Sequence, residues 1–148
     1  MSKVPQLYFT NFTSSGNLSS DVNKSINDRT VDPIKYEGIT FVMFYSTPCC
    51  LQEINVFNEI HNNINTMNTL VPMHFYIYQV NKGTNSAINS LPNAPYRIMG
   101  YPYIVTFYNG TFCSVYKPDD IPEPHLLAND IINYGNKITT KSICNMMK

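Results

Sequence analysis

The residues best suited to covalent chemistry are two adjacent cysteines, Cys49 and Cys50, which follow Thr47-Pro48 just after a dense apolar run. Cysteine attacks as its thiolate, and a helix start favours that form, because unpaired backbone N–H groups and the helix dipole stabilise negative charge. The apolar period becomes helical from Leu51 onward, so both sulfurs stand at such a start. A disulfide between sequence neighbours closes a small strained ring and is easily reduced. The pair can act as a dithiol, or one sulfur can act alone through glutathionylation, a mixed disulfide with a client or an intermolecular bond. The competing reading is two inert packing cysteines.

The remaining candidates are weaker. Cys113 alternates with Phe112 and Val115 in a strand-like run and reads as a small buried hydrophobe. Cys144 falls in the tail beyond the last helical stripe and reads as a free thiol. His61, His74 and His125 are scattered, and no Cys-x-x-Cys or His-x-x-x-His pair exists, so no metal ligand set is expected. His61 lies one position off the apolar stripe of its helix and reads as a flanking surface group. No cofactor is called for.

Several elements must position the cysteines. Ile39 to Tyr45 is a continuous apolar and β-branched run bounded by Gly38 and Thr47-Pro48, the pattern of a fully buried strand. Leu51, Ile54, Phe57, Ile60 and Ile64 then line one face of an amphipathic helix of about four turns. His74 to Val80 reads as a strand, and Lys82 to Pro95 as a loop with a short helix. Tyr103–Tyr108 and Thr111–Tyr116 flank Asn109-Gly110, the strongest short-range hairpin signal. A last helix opens after Pro122-Glu123-Pro124 and carries Leu127, Ile131, Tyr134 and Ile138, with Gly135 and Asn136 as stop signals. Near the N-terminus, Gln6 to Thr10 has strand character, and Leu18, Val22 and Ile26 recur at helical spacing. The order describes an α/β domain with helices packed on a mixed sheet.

Composition bounds the function. The 148 residues, 43% hydrophobic and 13% aromatic, suffice for one domain over 1–148, with an N-terminal strand and helix extension at 1–38 and a C-terminal tail at 139–148. Ten basic and ten acidic side chains cancel, and no Lys or Arg run occurs, which argues against nucleic acid as a partner. No apolar run approaches the ~20 residues needed to span a bilayer, and the N-terminal residues lack a signal-peptide layout. A cytoplasmic location is expected. The surplus of Asn, Ile, Tyr and Phe over Arg fits an AT-rich genome such as that of a large DNA virus, with packaging in a virion as a second location.

The local words add a resemblance. Phe44-Tyr45-Ser46 is similar to the tripeptide ahead of the active site in protein disulfide isomerase domains. The stretch from Ala94 through Arg97 and Gly100 to Pro102 resembles the thioredoxin segment that runs into a cis-proline, and Phe107-Tyr108-Asn109-Gly110 resembles that family's hairpin. The resemblance spans roughly Leu7 to Lys137 and implies a thioredoxin fold, a central mixed β-sheet flanked by helices. It also implies a cis Pro102, with Tyr101 ahead of it, holding extended substrate chains beside Cys49 and Cys50.

The active-site word departs from the family's. Counting forward from Phe44, Cys49 takes the place of the nucleophile and Gln52 that of the resolving cysteine. Counting back from Val56-Phe57-Asn58-Glu59-Ile60, Cys50 becomes the resolving residue and Thr47 the nucleophile's counterpart. Pro48 replaces the motif's tryptophan, Met43 a buried acid and Asn55 a kinking proline. What the resemblance implies is therefore a thiol-disulfide redox protein with an atypical Thr-Pro-Cys-Cys site that can work as a monothiol. Its partners would be protein thiols and disulfides or an unidentified protein client, met as a monomer or weak dimer. The alternative is a catalytically inactive thioredoxin-fold binding or structural module, presenting Tyr45, Tyr101 and Tyr103. A glutathione user, with Lys82 and Arg97 for the carboxylates, is a third reading.

Overall fold

β1 (Ile39–Tyr45) is buried from Ile39 to Phe44, as its apolar run requires. It occupies the middle of a four-stranded sheet in the order β2-β1-β3-β4, where β2 is Met73–Gln79, β3 Tyr103–Tyr108 and β4 Thr111–Tyr116. The computed structural model describes residues 4–7, 12–18, 37–46, 50–80, 91, 94–116 and 128–141. β1 pairs parallel with β2, Ile39 opposite Met73 and Tyr45 opposite Gln79. It pairs antiparallel with β3, Ile39 opposite Tyr108 and Phe44 opposite Tyr103. A parallel pair needs a crossover. It is supplied by α1 (Leu51–Asn63), followed by a 3-10 turn at Ile64–Thr66.

The β3–β4 hairpin turns at Asn109 and Gly110, both at positive φ (51° and 87°), as a tight turn matched to strand twist demands. Asn109 also donates its N–H to the Gly38 carbonyl at 2.8 Å, and its Oδ1 accepts the Gly38 N–H at 2.8 Å. The turn is thereby tied to the start of β1. Along the hairpin, Thr106 pairs with Ser114 but Phe107 with Phe112, so Cys113 is the extra residue of a bulge.

Strand alternation builds two cores. Ile39, Phe41 and Met43 point to one face, against Phe57 and Ile60 of α1 and Ile131 and Ile138 of α2 (Ala128–Lys141). There Phe75 stacks on Phe41 with centroids 5.2 Å apart and meets Phe57 edge-on at 5.5 Å. Val42, Phe44, Val105 and Phe107 point to the other face, against Leu7, Phe12, Leu18, Tyr96 and Ile98. The result is an α/β thioredoxin fold: a mixed sheet with a βαβ crossover, a C-terminal hairpin and a closing helix.

Three sequence expectations change. α2 runs through Gly135 instead of stopping, because this glycine serves close approach: a Cβ there would lie 2.6 Å from Met73 Cε. Leu51 leaves the buried stripe of α1 and is 69% exposed at the helix start. Leu18 forms an antiparallel bridge with Phe12 instead of opening a helix, while Val22 and Ile26 lie outside the described residues. At the N-terminus, Gln6 makes a parallel bridge to Ile77, with Leu7 N–H donating to Ile77 O at 2.8 Å and Ile77 N–H to Pro5 O at 3.0 Å. The register puts the nitrogen of Pro5 opposite the Phe75 carbonyl, and proline has no hydrogen to donate. Residues 8–10 of that expected strand, and the 82–90 part of the expected loop, lie outside the described residues.

Thr40 is fully buried and its hydroxyl has no hydrogen-bond partner among the described residues. An orphaned buried hydroxyl costs more than its methyl replacement. Thr40→Val is expected to raise stability by about 1 kcal/mol, read as a higher urea midpoint with unchanged slope.

Candidate functional site

Five residues after β1 the chain reaches Cys50, the residue that caps α1. Its backbone is left-handed, φ 85° and ψ 19°, a conformation that costs a non-glycine residue roughly 1–2 kcal/mol. Its carbonyl nonetheless accepts the Ile54 N–H at 2.9 Å and so begins the helix. The side chain makes no capping hydrogen bond, is 8% exposed, and takes part in a disulfide. Cys50 is therefore a buried, bonded residue in this structure and not a free thiolate. Thr47, Pro48 and Cys49 lie outside the described residues. Gln52, the resolving counterpart in the forward register, is an exposed residue inside α1.

β3 starts at the C-terminal end of β1. Phe44 pairs with Tyr103, so Tyr101 and Pro102 flank the C-terminal end of β1, from which the chain leads to Cys50. The Tyr101–Pro102 peptide bond is cis, and both residues are half-buried. Tyr45 is half-buried too, and burial raises its pKa above the usual tyrosine value. Tyr103 is raised mainly by burial, partly offset by a hydrogen bond with the Arg97 backbone. Burial, with Tyr103 nearby, raises Tyr96 further, and its hydroxyl donates to the Gly16 carbonyl at 2.7 Å. Tyr45, Tyr96 and Tyr103 are thus held in their neutral form at physiological pH. Met99 (85% exposed), two residues before Tyr101, and Leu51, the residue after Cys50, are the exposed large apolar side chains of these two segments.

Met43, where the resemblance expects a buried acid, is fully buried in one apolar cluster with Phe41, Phe57 and Ile104. Arg97 is exposed, whereas Lys82 lies outside the described residues. Among the described residues no group of three His, Cys, Asp or Glu comes together to hold a metal, and no helix is long and apolar enough to cross a membrane.

Cys113 is 3% exposed, in the same core cluster as Ile131 and Ile132, as its alternation implied, but it too is disulfide-bonded. The reading of it as a mere packing residue is therefore corrected. Its period-two pattern reports burial and carries no signal of a bond to a residue far along the chain.

The fold also creates a cavity of about 420 Å³ at the edge of β2, lined by Pro5, Asn65, Thr69 and Tyr76 and by His61 and His74. No local pattern could have joined a histidine late in α1 to one at the start of β2. His74 Nε2 lies 3.0 Å from the Glu37 carbonyl. His61 has its pKa lowered, first by burial and then by the charge of His74, so it is more than a flanking surface group. A lowered folded value means that protonation costs more in the folded state. The contribution of this one half-exposed ring is fully present above the ordinary value of 6.5, declines as pH falls through the lowered one, and is small because solvent screens it. The urea midpoint is expected to fall slightly as pH drops below 6.5, and to fall less in His61→Gln.

No protein-family model matches the chain, and no characterised protein matches it in sequence. Solved structures align with part of the chain. Human ERp44 in its zinc-bound form aligns with 71% of this chain and 26% of its own, at 17% identity and a TM-score of 0.49. A thioredoxin from Malassezia sympodialis, Mala s 13, aligns with 69% of this chain and 77% of its own, at 17% identity and a TM-score of 0.41. This chain thus spans about a quarter of the ERp44 chain.

Proposed function

We propose that this thioredoxin-fold chain exchanges disulfides with protein clients through Cys49 and Cys50, with Tyr101 and Pro102 holding the client strand beside them. The observation that carries the reading is Cys50 itself. It is a disulfide-bonded cysteine held in a left-handed conformation at the start of α1, next to the end of β1 that Tyr101 and Pro102 flank. A strained residue at a chemically capable position is a pointer to function. In exchange, a client thiolate attacks one sulfur of the Cys50 bond, a mixed disulfide forms, and the displaced thiolate is stabilised by the N-terminal end of α1. The exposed Leu51 and Met99 supply apolar surface for an unfolded client.

A second reading, a binding module without exchange, draws on Met43: with no acid beneath the site, proton transfer to the leaving sulfur must come from solvent. Insulin reduction in the presence of dithiothreitol separates the two. The exchange reading expects faster precipitation than with dithiothreitol alone, and Cys50→Ser returning the rate to background. No acceleration by the wild type rejects dithiol exchange and leaves the binding module.

A further inference from the structure

The β3–β4 turn carries the chain's one Asn-Gly pair, Asn109-Gly110. Glycine has no Cβ, so its backbone nitrogen is unhindered for attack on the side-chain amide of the asparagine before it. The Gly110 nitrogen gives up its proton as it bonds to Asn109 Cγ, the Cγ–Nδ2 bond breaks, and Nδ2 leaves with that proton as ammonia. Water then opens the succinimide ring at either carbonyl. One opening gives aspartate. The other gives isoaspartate, in which the main chain runs through the former side-chain carbons. No oxidant or reductant takes part.

The fold presents this pair to solvent and also holds it back. Asn109 is exposed, so water reaches it, and its Nδ2 donates to no acceptor among the described residues. The rest of the residue is clasped. Its Oδ1 accepts the Gly38 N–H at 2.8 Å, and its N–H donates to the Gly38 carbonyl at 2.8 Å. Gly38 has no room to follow a moving Asn109, because it lies against the Pro72 carbonyl. Gly110 is buried, and its carbonyl accepts the Leu18 N–H at 2.9 Å. Turning the Asn109 amide onto the next peptide therefore takes Oδ1 off Gly38 and opens the join between the hairpin and β1. Ring closure then proceeds from the opened form, and its rate follows the population of that form. Two hydrogen bonds of ordinary net strength slow it about 30-fold.

We infer that Asn109 is a fold-gated deamidation site, and that its isoaspartyl product releases the start of β1 from the hairpin. The two products act differently. Aspartate keeps an oxygen that can accept the Gly38 N–H, and it tolerates the left-handed turn position. Isoaspartate turns that oxygen into a main-chain carbonyl and lengthens the backbone of a turn whose central residues, Asn109 and Gly110, both stand at positive φ. The modification is one-way and sits at the entrance of the strand that leads to Cys50. It does not rest on the exchange role given above to Cys49 and Cys50.

The test incubates the full chain at mildly alkaline pH, in buffer and in guanidinium chloride, and follows Asn109 by mass spectrometry with fragmentation that separates isoaspartate from aspartate. Lys117 precedes Pro118 and resists trypsin, so Asn109 travels on the peptide 98–137. Conversion is expected to be about 30-fold slower in buffer than in guanidinium, and in guanidinium slower for Gly110→Ala than for the wild type. Isoaspartyl protein purified from the aged sample and refolded is expected to have a lower urea midpoint, while Asn109→Asp stays close to the wild type. Equal rates in buffer and guanidinium overturn the gate, and no slowing in Gly110→Ala overturns the ring closure. An isoaspartyl form that melts with the wild type overturns the release of β1. None of these outcomes bears on insulin reduction, which tests exchange separately.

Discussion

Gly38→Ala is expected to lower the stability by several kcal/mol out of a total of roughly 5–15, a large fall in the urea midpoint. Gly38 sits at φ +89°, where an L side chain is strained, and a Cβ there would run into the carbonyl oxygen of Pro72. That atom belongs to the backbone and cannot swing aside. It also accepts the Ile39 N–H at 3.0 Å, the bond that starts the β1–β2 ladder, so moving it undoes the pairing it anchors. Gly38 is held from the other side by its two hydrogen bonds with Asn109, so the strand entrance has no free direction in which to relax. Asn109→Ala, which removes the Oδ1 acceptor and leaves the left-handed position to a residue less suited to it, is expected to cost about 1–2 kcal/mol. Urea melts of both variants check this, and a Gly38→Ala midpoint equal to wild type would contradict it.

The second large effect belongs to Phe75. It lies between Phe41 and Phe57, stacked on one ring and edge-on to the other, and is 1% exposed. Phe75→Ala opens a void against the two elements that carry Cys50, β1 and α1, at an expected cost of about 3–5 kcal/mol. Phe75→Leu keeps most of the volume and is expected to lose less than half as much. Near-equal losses for the two would mean that the site relaxes around the void, against the packing described.

How far the sequence led can be read from single residues. The hairpin was legible to the residue because Asn109 and Gly110 specify a turn locally, and the strands on either side are marked by their own composition. Helix α1 was legible from Phe57 and Ile60, yet Leu51 shared their period and faces solvent, because the first turn projects past the sheet. Gly135 was misread since glycine has two uses, ending a helix and letting it approach a neighbour, and only Met73 across the interface distinguishes them. The same holds for the site. Local words point to Cys50 and Tyr101-Pro102 as candidates, whereas the bonded state of Cys50 and Cys113 and the cavity that His61 and His74 line depend on contacts between segments that no local pattern joins.

The central claim is that the sulfurs at the start of α1 react with a client while the sulfur in β4 does not. It is tested most directly by mixing the mildly reduced protein with a short peptide carrying an activated disulfide, quenching with acid, and locating the peptide by mass spectrometry. The account predicts a mixed disulfide on residues 36–82, lost in the double variant Cys49→Ser, Cys50→Ser. An adduct confined to Cys113 or Cys144, or one on 36–82 that survives the double variant, would contradict it.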